Sequence, residues 1–342
     1  MKFLLFPFSI IYWLVTKVRN YLYDCGFFKS TSFNIPIISI GNLSMGGTGK
    51  TPHTAYLIEF LKNNYRVATL SRGYGRKTKG FVIANQSITE REIGDEPMLF
   101  YNRYGKEISV AVCEERVFGI KKLSEIKQPN LILLDDAFQH RKVKPHLSIL
   151  LTEFDALFSE DYLFPMGTLR EARKGANRAD LIIVTKCSNR LLKKDKDNIR
   201  LKLALNNSQK IFFSSIIYSK NVISSERKIE VLELLNKSIL LITGIANPKL
   251  LKNYILENSK NVTHIKFADH YNFNEKDVAN ILEKFQAIEG EKIILTTEKD
   301  YMRLRSFNAI ASYLYYLPIE IKIDNKQEFE EEILNKLAIK LI

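Results

Sequence analysis

IPIISIGNLSMGGTGKT, residues 35–51, runs from a β-branched apolar stretch straight into a glycine-rich turn. Pro36–Gly41 has the composition of a buried strand, and His53–Asn63 has the pattern of a helix. A glycine-rich turn between strand and helix lets backbone amides close around phosphate oxygens, and the helix N-terminus adds its partial positive charge. Lys50 is then placed to reach the terminal phosphates, and the Thr51 hydroxyl to meet Mg2+. Ser44 stands where the usual pattern has its first glycine, and Gly46 and Gly47 supply the freedom instead. Ser44, Met45, Gly46, Gly47, Thr48, Gly49, Lys50 and Thr51 form the expected nucleotide cradle.

Around this core the apolar runs Val67–Leu70, Leu131–Leu134, Leu147–Leu151 and Leu181–Val184 also read as buried strands. Helical stretches such as Arg116–Ile126 lie between them, so the alternation predicts a parallel sheet covered on both faces. A second set follows: strands at Ile239–Thr243, Val262–Phe267, Lys292–Thr297 and Tyr313–Ile323, helices at Pro248–Asn258 and Glu275–Gln286. The expected class is α/β: a P-loop-type parallel sheet domain over 31–217, a polar linker over 218–236, and a smaller α/β domain over 237–342. Residues 1–30 form a separate N-terminal segment.

In that segment Phe3–Val15 is a thirteen-residue, nearly continuous apolar run followed by Lys17 and Arg19. It is too short for a membrane span, which needs roughly 20 residues, and no small-residue cleavage site follows it. Trp13, Tyr12, Tyr21 and Tyr23 suit a head-group region, and Lys2, Lys17, Arg19 and Lys29 suit anionic lipid. An interfacial helix is the favoured reading; a core helix packed on the following domain is the alternative.

The 342 residues suffice for two packed domains, and the net charge of +13 favours an anionic partner. Three widely spaced cysteines and five histidines without ligand spacing exclude a disulfide framework or a zinc site. No helix-turn-helix, zinc or aromatic-basic RNA motif accompanies the charge, so no nucleic-acid partner is expected; nor is an obligate protein partner inferred.

A P-loop enzyme needs a carboxylate on a neighbouring strand to hold Mg2+. Leu131–Leu134 ends in Asp135 and Asp136, whose side chains point to different sides; one faces the metal and the other orients a neighbour. Three further clusters fall at predicted element ends. Arg72, Tyr74 and Arg76 lie in SRGYGR, Asp95 and Glu96 in GDEP, and Arg170 and Glu171 in PMGTLRE. Thr185-Lys186 has the look of a base-contacting turn, and Ser188 replaces the aspartate that would read guanine, which favours ATP. A partitioning-type switch ATPase is a rival, but it would place lysine where Met45 stands.

In order along nearly the whole chain stand GNLSMGGTGKTP (41–52), SRGYGR (71–76), GDEP (94–97), DDAFQH (135–140), PMGTLRE (165–171), GIANP (244–248), DHYNF (269–273) and TTEKD (296–300). Through these segments the chain resembles the tetraacyldisaccharide 4'-kinase family of lipid A biosynthesis. Ala137 departs from the glycine expected in that family, and a slight backbone adjustment is expected there. The resemblance implies a peripheral enzyme on the cytoplasmic face of the bacterial inner membrane, with a P-loop domain, a smaller C-terminal domain and an active site between them. It implies transfer of the γ-phosphoryl group of ATP to the 4'-hydroxyl of a tetraacylated glucosamine disaccharide 1-phosphate, forming lipid IVA. By matching motifs, Asp95 is the expected base and His270 its partner. Asp135 or Asp136 holds Mg2+, with Glu171 or Glu96 assisting. Arg170 stabilises phosphate charge. Arg72, Tyr74, Arg76, Glu96, Gln139 and His140 are expected on the substrate side, the last two also organising the metal loop.

Overall fold

The computed structural model describes residues 2–269 and 271–338. The chain divides into two compact units, one of residues 1–216 with 321–342 and the other of residues 217–320.

The first unit holds strands β1 (Ile37–Asn42), β2 (Val67–Ser71), β3 (Val82–Ile83), β4 (Ser109–Val112), β5 (Leu131–Asp135), β6 (Leu147–Glu153), β7 (Leu181–Thr185) and β8 (Lys210–Tyr218). The second has β9 (Asn221–Ile223), β10 (Lys228–Glu230), β11 (Ser238–Thr243), β12 (Asn261–Lys266), β13 (Lys292–Thr297) and β14 (Leu314–Leu317), and β15 (Ile319–Ile323) follows. The large sheet has the order β15-β8-β7-β6-β1-β5-β2-β4-β3. From β8 to β4 every neighbouring pair is parallel; at the two edges β3 on β4 is antiparallel, and β15 runs back along β8, Ser219 N–H bonding the Pro318 carbonyl and Asp324 N–H the Phe213 carbonyl. β1 lies between β5 and β6, and every one of its residues is buried, as a central parallel strand covered on both faces requires.

One face of this sheet packs Leu57, Ile58 and Leu61 of α2 (Lys50–Leu61) with Phe329, Ile333 and Leu337 of the last helix, Lys326–Ala338. The other face carries Ile120 and Leu123 of helix Arg116–Lys127 near β2 and β5, and Ile199 and Leu203 of helix Lys193–Leu203 near β7.

Three expectations are corrected. The stretch 218–236 is no linker: it contains β9, β10 and a 3-10 turn whose Val231 and Leu234 are buried in the second unit's core. The small domain does not run to the C-terminus, because residues from Ile321 onward return to the first unit. The single strand expected over Tyr313–Ile323 is two strands in different sheets, broken at Pro318, which has no N–H to give a ladder.

The second unit is a six-stranded sheet, β10-β9-β14-β13-β11-β12, parallel from β14 to β12. Asp300, from TTEKD, is fully buried there. It accepts hydrogen bonds from the Gly244 amide (2.8 Å) and the Thr297 hydroxyl (2.8 Å), joining the GIANP turn to the end of β13.

α1 (Phe6–Asp24) carries Pro7 in its first turn, where proline is tolerated. Ser9 is its one buried residue among those described, whereas Phe6, Phe8, Ile10, Ile11, Leu14, Val15 and Val18 are all exposed. Its polar side chains turn inward: Ser9 Oγ donates to the Leu163 carbonyl at 3.1 Å and Tyr12 Oη to the Arg170 carbonyl at 2.8 Å. Lys17 Nζ lies 4.3 Å over the Trp13 ring. The helix is thus amphipathic with its polar side on the protein, the reverse of a core helix. Among the described residues no helix is long and apolar enough to cross a membrane.

Candidate active site

The site gathers at the carboxyl ends of β1 and β5. Gly46 (φ 114°) and Gly49 (φ 87°) adopt backbone that only glycine enters freely, and α2 begins directly at Lys50. The turn is pinned from several sides. Asn42 Nδ2 donates to Thr48 Oγ1 at 2.8 Å, and Thr185 Oγ1 donates to the Thr48 carbonyl at 2.9 Å. His53, fully enclosed, bridges the Gly49 carbonyl (Nδ1, 2.7 Å) and Ser214 Oγ (Nε2, 2.8 Å). Burial lowers its pKa to about 4, so the imidazole is neutral at pH 7.

Ser44 and Met45, at the start of the cradle, carry a structural task. Ser44 bridges to Leu169, and the Met45 amide donates to the Thr168 carbonyl at 2.8 Å, while the Arg170 amide donates to the Leu43 carbonyl at 2.7 Å. These two residues clip the cradle to the TLRE segment. Thr185 likewise secures the turn's backbone, and Lys186 pairs with Glu153 at 2.8 Å, which assigns both a structural role beside any contact with a base.

Lys50 is 9% exposed, with Nζ 3.5 Å from Asn42 Oδ1 and 3.7 Å from Asp136 Oδ1. Asp136 also accepts from Arg170 Nη1 at 3.1 Å and 3.3 Å, so two cations share one partly exposed carboxylate. Asp136 has φ 47°, and it is this residue, not Ala137, that takes the left-handed turn. Ala137 is buried in the core, so alanine needs no special backbone there. The close approach falls instead at Gly41, where a Cβ would lie 2.8 Å from Phe138 Cβ.

Asp135 is 1% exposed; Oδ1 accepts from Thr54 Oγ1 at 2.9 Å, while Oδ2 is buried without a hydrogen-bond partner. Burial, then the charges of Glu96 and Asp136, push its carboxyl up to about 7. Thr51 Oγ1 donates to Glu96 Oε1 at 3.0 Å, so GDEP meets the cradle through Glu96. Asp95, half-buried, opens the helix Asp95–Tyr104 beside it. Gly94 (φ 90°) permits this, because a Cβ there would stand 2.9 Å from the Tyr74 carbonyl of SRGYGR.

The residues present fit Mg2+. A hydroxyl, a buried carboxylate with an unsatisfied oxygen and further carboxylates beside a phosphate cradle are the donors it takes, the remainder coming from phosphate and water. Among the described residues no three His, Cys, Asp or Glu side chains form a ready-made metal cage, and a phosphate-bound Mg2+ does not require one.

Glu171, expected as a metal ligand, is held by the protein's own donors. It is 2% exposed, and its oxygens accept from Asn20 Nδ2 (2.8 Å), Gln139 Nε2 (3.2 Å) and Arg178 Nη2 (2.7 Å). Gln139 also donates to the Asn42 carbonyl at 2.8 Å, so it too braces the scaffold of the site. Arg76, expected on the substrate side, has an enclosed guanidinium that holds the Gly80 carbonyl (2.7 Å) and Glu114 (2.5 Å). Arg72 and Tyr74, on the same loop, are exposed. His140 Nε2 is buried and unpartnered, and burial lowers its pKa to about 4. His270 lies outside the described residues.

Sequence reasoning missed His53, Thr54, Asn42 and Arg116. Arg116 is buried, donates to the Cys113 carbonyl at 2.6 Å, and has its pKa pushed down to about 10 by burial against the opposing pull of Asp135. Thr54 could have been found, since it stands one helical turn after Lys50 on the helix that the cradle opens.

The family model for tetraacyldisaccharide-1-P 4'-kinase matches residues 1–338. The chain is 47% identical to a tetraacyldisaccharide 4'-kinase of Flavobacterium johnsoniae, covering 97% of this chain and 96% of that protein. It is 44% identical to one of Bacteroides thetaiotaomicron over 96% and 92%. Its structure resembles the "apo" form of LpxK from Aquifex aeolicus in complex with ATP, with a TM-score of 0.79 at 30% identity, covering 98% of this chain and 99% of the other. By whole-length match of sequence and fold, the chain belongs to the tetraacyldisaccharide-1-P 4'-kinase family.

Proposed function

We propose that the protein transfers the γ-phosphoryl group of ATP to the 4'-hydroxyl of a tetraacylated glucosamine disaccharide 1-phosphate, giving lipid IVA. The observation that carries this is the junction of the cradle with Lys50, Asp136 and Arg170, in a chain matched end to end by its family. Thr51 and Asp135, with Asp136 or Glu96 alongside, would hold Mg2+, which would supply charge neutralisation at the phosphates. Lys50 binds the terminal phosphate oxygens, and Arg170 opposes the negative charge that builds up on them during transfer. Binding of the nucleotide redistributes the cations now shared by Asp136. Asp95 accepts the proton of the sugar hydroxyl, with His270 as its proposed partner. Exposed Arg72 and Tyr74 contact the disaccharide.

The same reading places the protein peripherally on the cytoplasmic face of the inner membrane. The outward apolar side chains of α1 and the Lys17–Trp13 pair support contact with an anionic lipid surface. The test is phosphate transfer from labelled ATP to the disaccharide 1-phosphate in detergent micelles, with Asp95→Ala beside the unmodified protein. Lipid product from the unmodified protein, reduced about a hundredfold or more in the variant, is expected. No lipid product from the unmodified protein would overturn the activity; equal product from both would remove Asp95 as base.

A further inference from the structure

Ser9, Tyr12 and Asn20 recur at helical spacing on the inward stripe of α1, with Arg19 beside them. Each reaches the segments that carry the phosphate-side groups. Ser9 Oγ receives the Met166 amide at 3.0 Å. Tyr12 Oη donates to the carbonyl of Arg170 itself at 2.8 Å. Arg19 Nη2 donates to the Gln139 carbonyl at 2.7 Å, in the loop that bears Asp136. Asn20 Nδ2 donates to Glu171 Oε2 at 2.8 Å. The other oxygen of Glu171 accepts from Gln139 and Arg178, and Gln139 reaches on to the Asn42 carbonyl at the end of β1. One buried carboxylate therefore ties α1, the DDAFQH loop, the TLRE segment and the root of the cradle together.

From this geometry we infer that Asn20 and Tyr12 are positioning residues for phosphoryl transfer: the stripe of α1 facing the protein fixes Arg170 and Asp136 in register with the cradle. The inference rests on the proposed kinase reading. The Arg170 carbonyl and the neighbouring Glu171 carboxylate are both held by α1, so a shift of the helix moves the backbone from which the Arg170 guanidinium projects. Neither positioning residue touches the nucleotide cradle, so ATP binding is left to Gly46–Thr51 and the effect falls on the transfer step. The helix whose outer side is apolar thus bears directly on catalysis through its inner side.

The polarity of the Asn20–Glu171 bond gives a specific test. An amide donor faces a carboxylate acceptor, so Asn20→Asp sets two carboxylates against each other, and adding Glu171→Gln rebuilds the pair with donor and acceptor exchanged. In the lipid-product assay, Asn20→Asp is expected to lower kcat about ten- to hundredfold with KM for ATP within about twofold. The double variant is expected to recover roughly tenfold of that loss. Tyr12→Phe, which removes a single hydroxyl, is expected to lower kcat about threefold, and it carries the test if Asn20→Asp does not fold. Unchanged kcat in both single variants would overturn the inference, as would a loss that appears only in KM for ATP. A kcat loss in Asn20→Asp that the exchanged pair does not relieve would also overturn it. Absence of lipid product from the unmodified protein would instead strike the kinase reading on which the inference rests.

Discussion

His53 is enclosed between the Gly49 carbonyl and Ser214, and its pKa is lowered to about 4 by burial. The unfolded chain protonates the same ring near pH 6.5. Between these values the unfolded state binds more protons, so stability rises with pH and is lost as pH falls from about 6.5 to about 4. The full contribution is on the order of 3 kcal/mol. Thermal unfolding of the unmodified protein should drop across that window, and His53→Gln should show a flatter profile; parallel profiles would remove His53 as the source. Arg76 supports a second prediction. Its guanidinium closes the 71–80 loop on Glu114, so Arg76→Ala should cost about 1–2 kcal/mol by removing the donor to the Gly80 carbonyl and one of the donors to the half-exposed Glu114, which keeps the Gly80 amide. Calorimetry should show that loss; lost activity at unchanged stability would restore Arg76 to the substrate side. The strand, turn and helix around Lys50 and Thr51 were legible because they are contiguous in one local motif. The surroundings of Glu171 and Arg76 were not legible, because their partners, Asn20 and Glu114, come from segments remote in sequence, and a residue's type does not reveal whether it meets protein or ligand.

α1 shows what periodicity alone could and could not settle. Its length and apolar content predict an interfacial helix, but the inward stripe of Ser9, Tyr12 and Asn20 takes its meaning only from the loops that receive it. On the outer side, Ile11 and Val15 are each about three-fifths exposed and one helical turn apart. Placing Glu at both removes apolar burial and adds like charge against an anionic surface. Ile11→Glu with Val15→Glu should weaken sedimentation with anionic phospholipid vesicles by at least about tenfold. The ATP-induced rise in Tm should be retained, because neither side chain faces the cradle. Equal vesicle binding would move lipid contact elsewhere. Among the strands, the long buried runs β1, β5, β6 and β7 were legible as continuous apolar segments. β4 and β8 were not: four residues, SVAV, carry too little pattern, and KIFFSSIIY mixes serines into its apolar run. Both are strands because the sheet supplies parallel partners on which to pair them.

The division of the chain is the feature least accessible to a reading that moves from left to right. The backbone leaves the first unit after Ile216 and re-enters it at Ile321, so a composition shift marks the departure but nothing local marks the return. What decides the return is burial. Phe329 is fully buried, its ring centroid 5.0 Å from that of Phe212 and 6.0 Å from that of Tyr56, and Tyr56 Oη donates to Glu330 at 2.8 Å. Tyr56 lies on α2, the helix that Lys50 opens. The last helix is therefore part of the packing that holds the nucleotide cradle's own helix. Phe329→Ala should cost about 3–5 kcal/mol through lost burial and the cavity left behind. That cost belongs to the unfolding transition that ATP stabilises, since a ligand raises only the stability of the unit that binds it. In denaturant melts followed with and without ATP and Mg2+, the ATP-sensitive transition of the variant should move to lower denaturant with unchanged slope. A shift confined to a transition that ATP leaves untouched would assign the tail to the second unit. The alternative variant Ile255→Ala, in the core of residues 217–320, should give the opposite pattern if the two units melt separately. If they melt as one, both substitutions should displace the single ATP-sensitive transition, and the two chain crossings would then act as one cooperative tie.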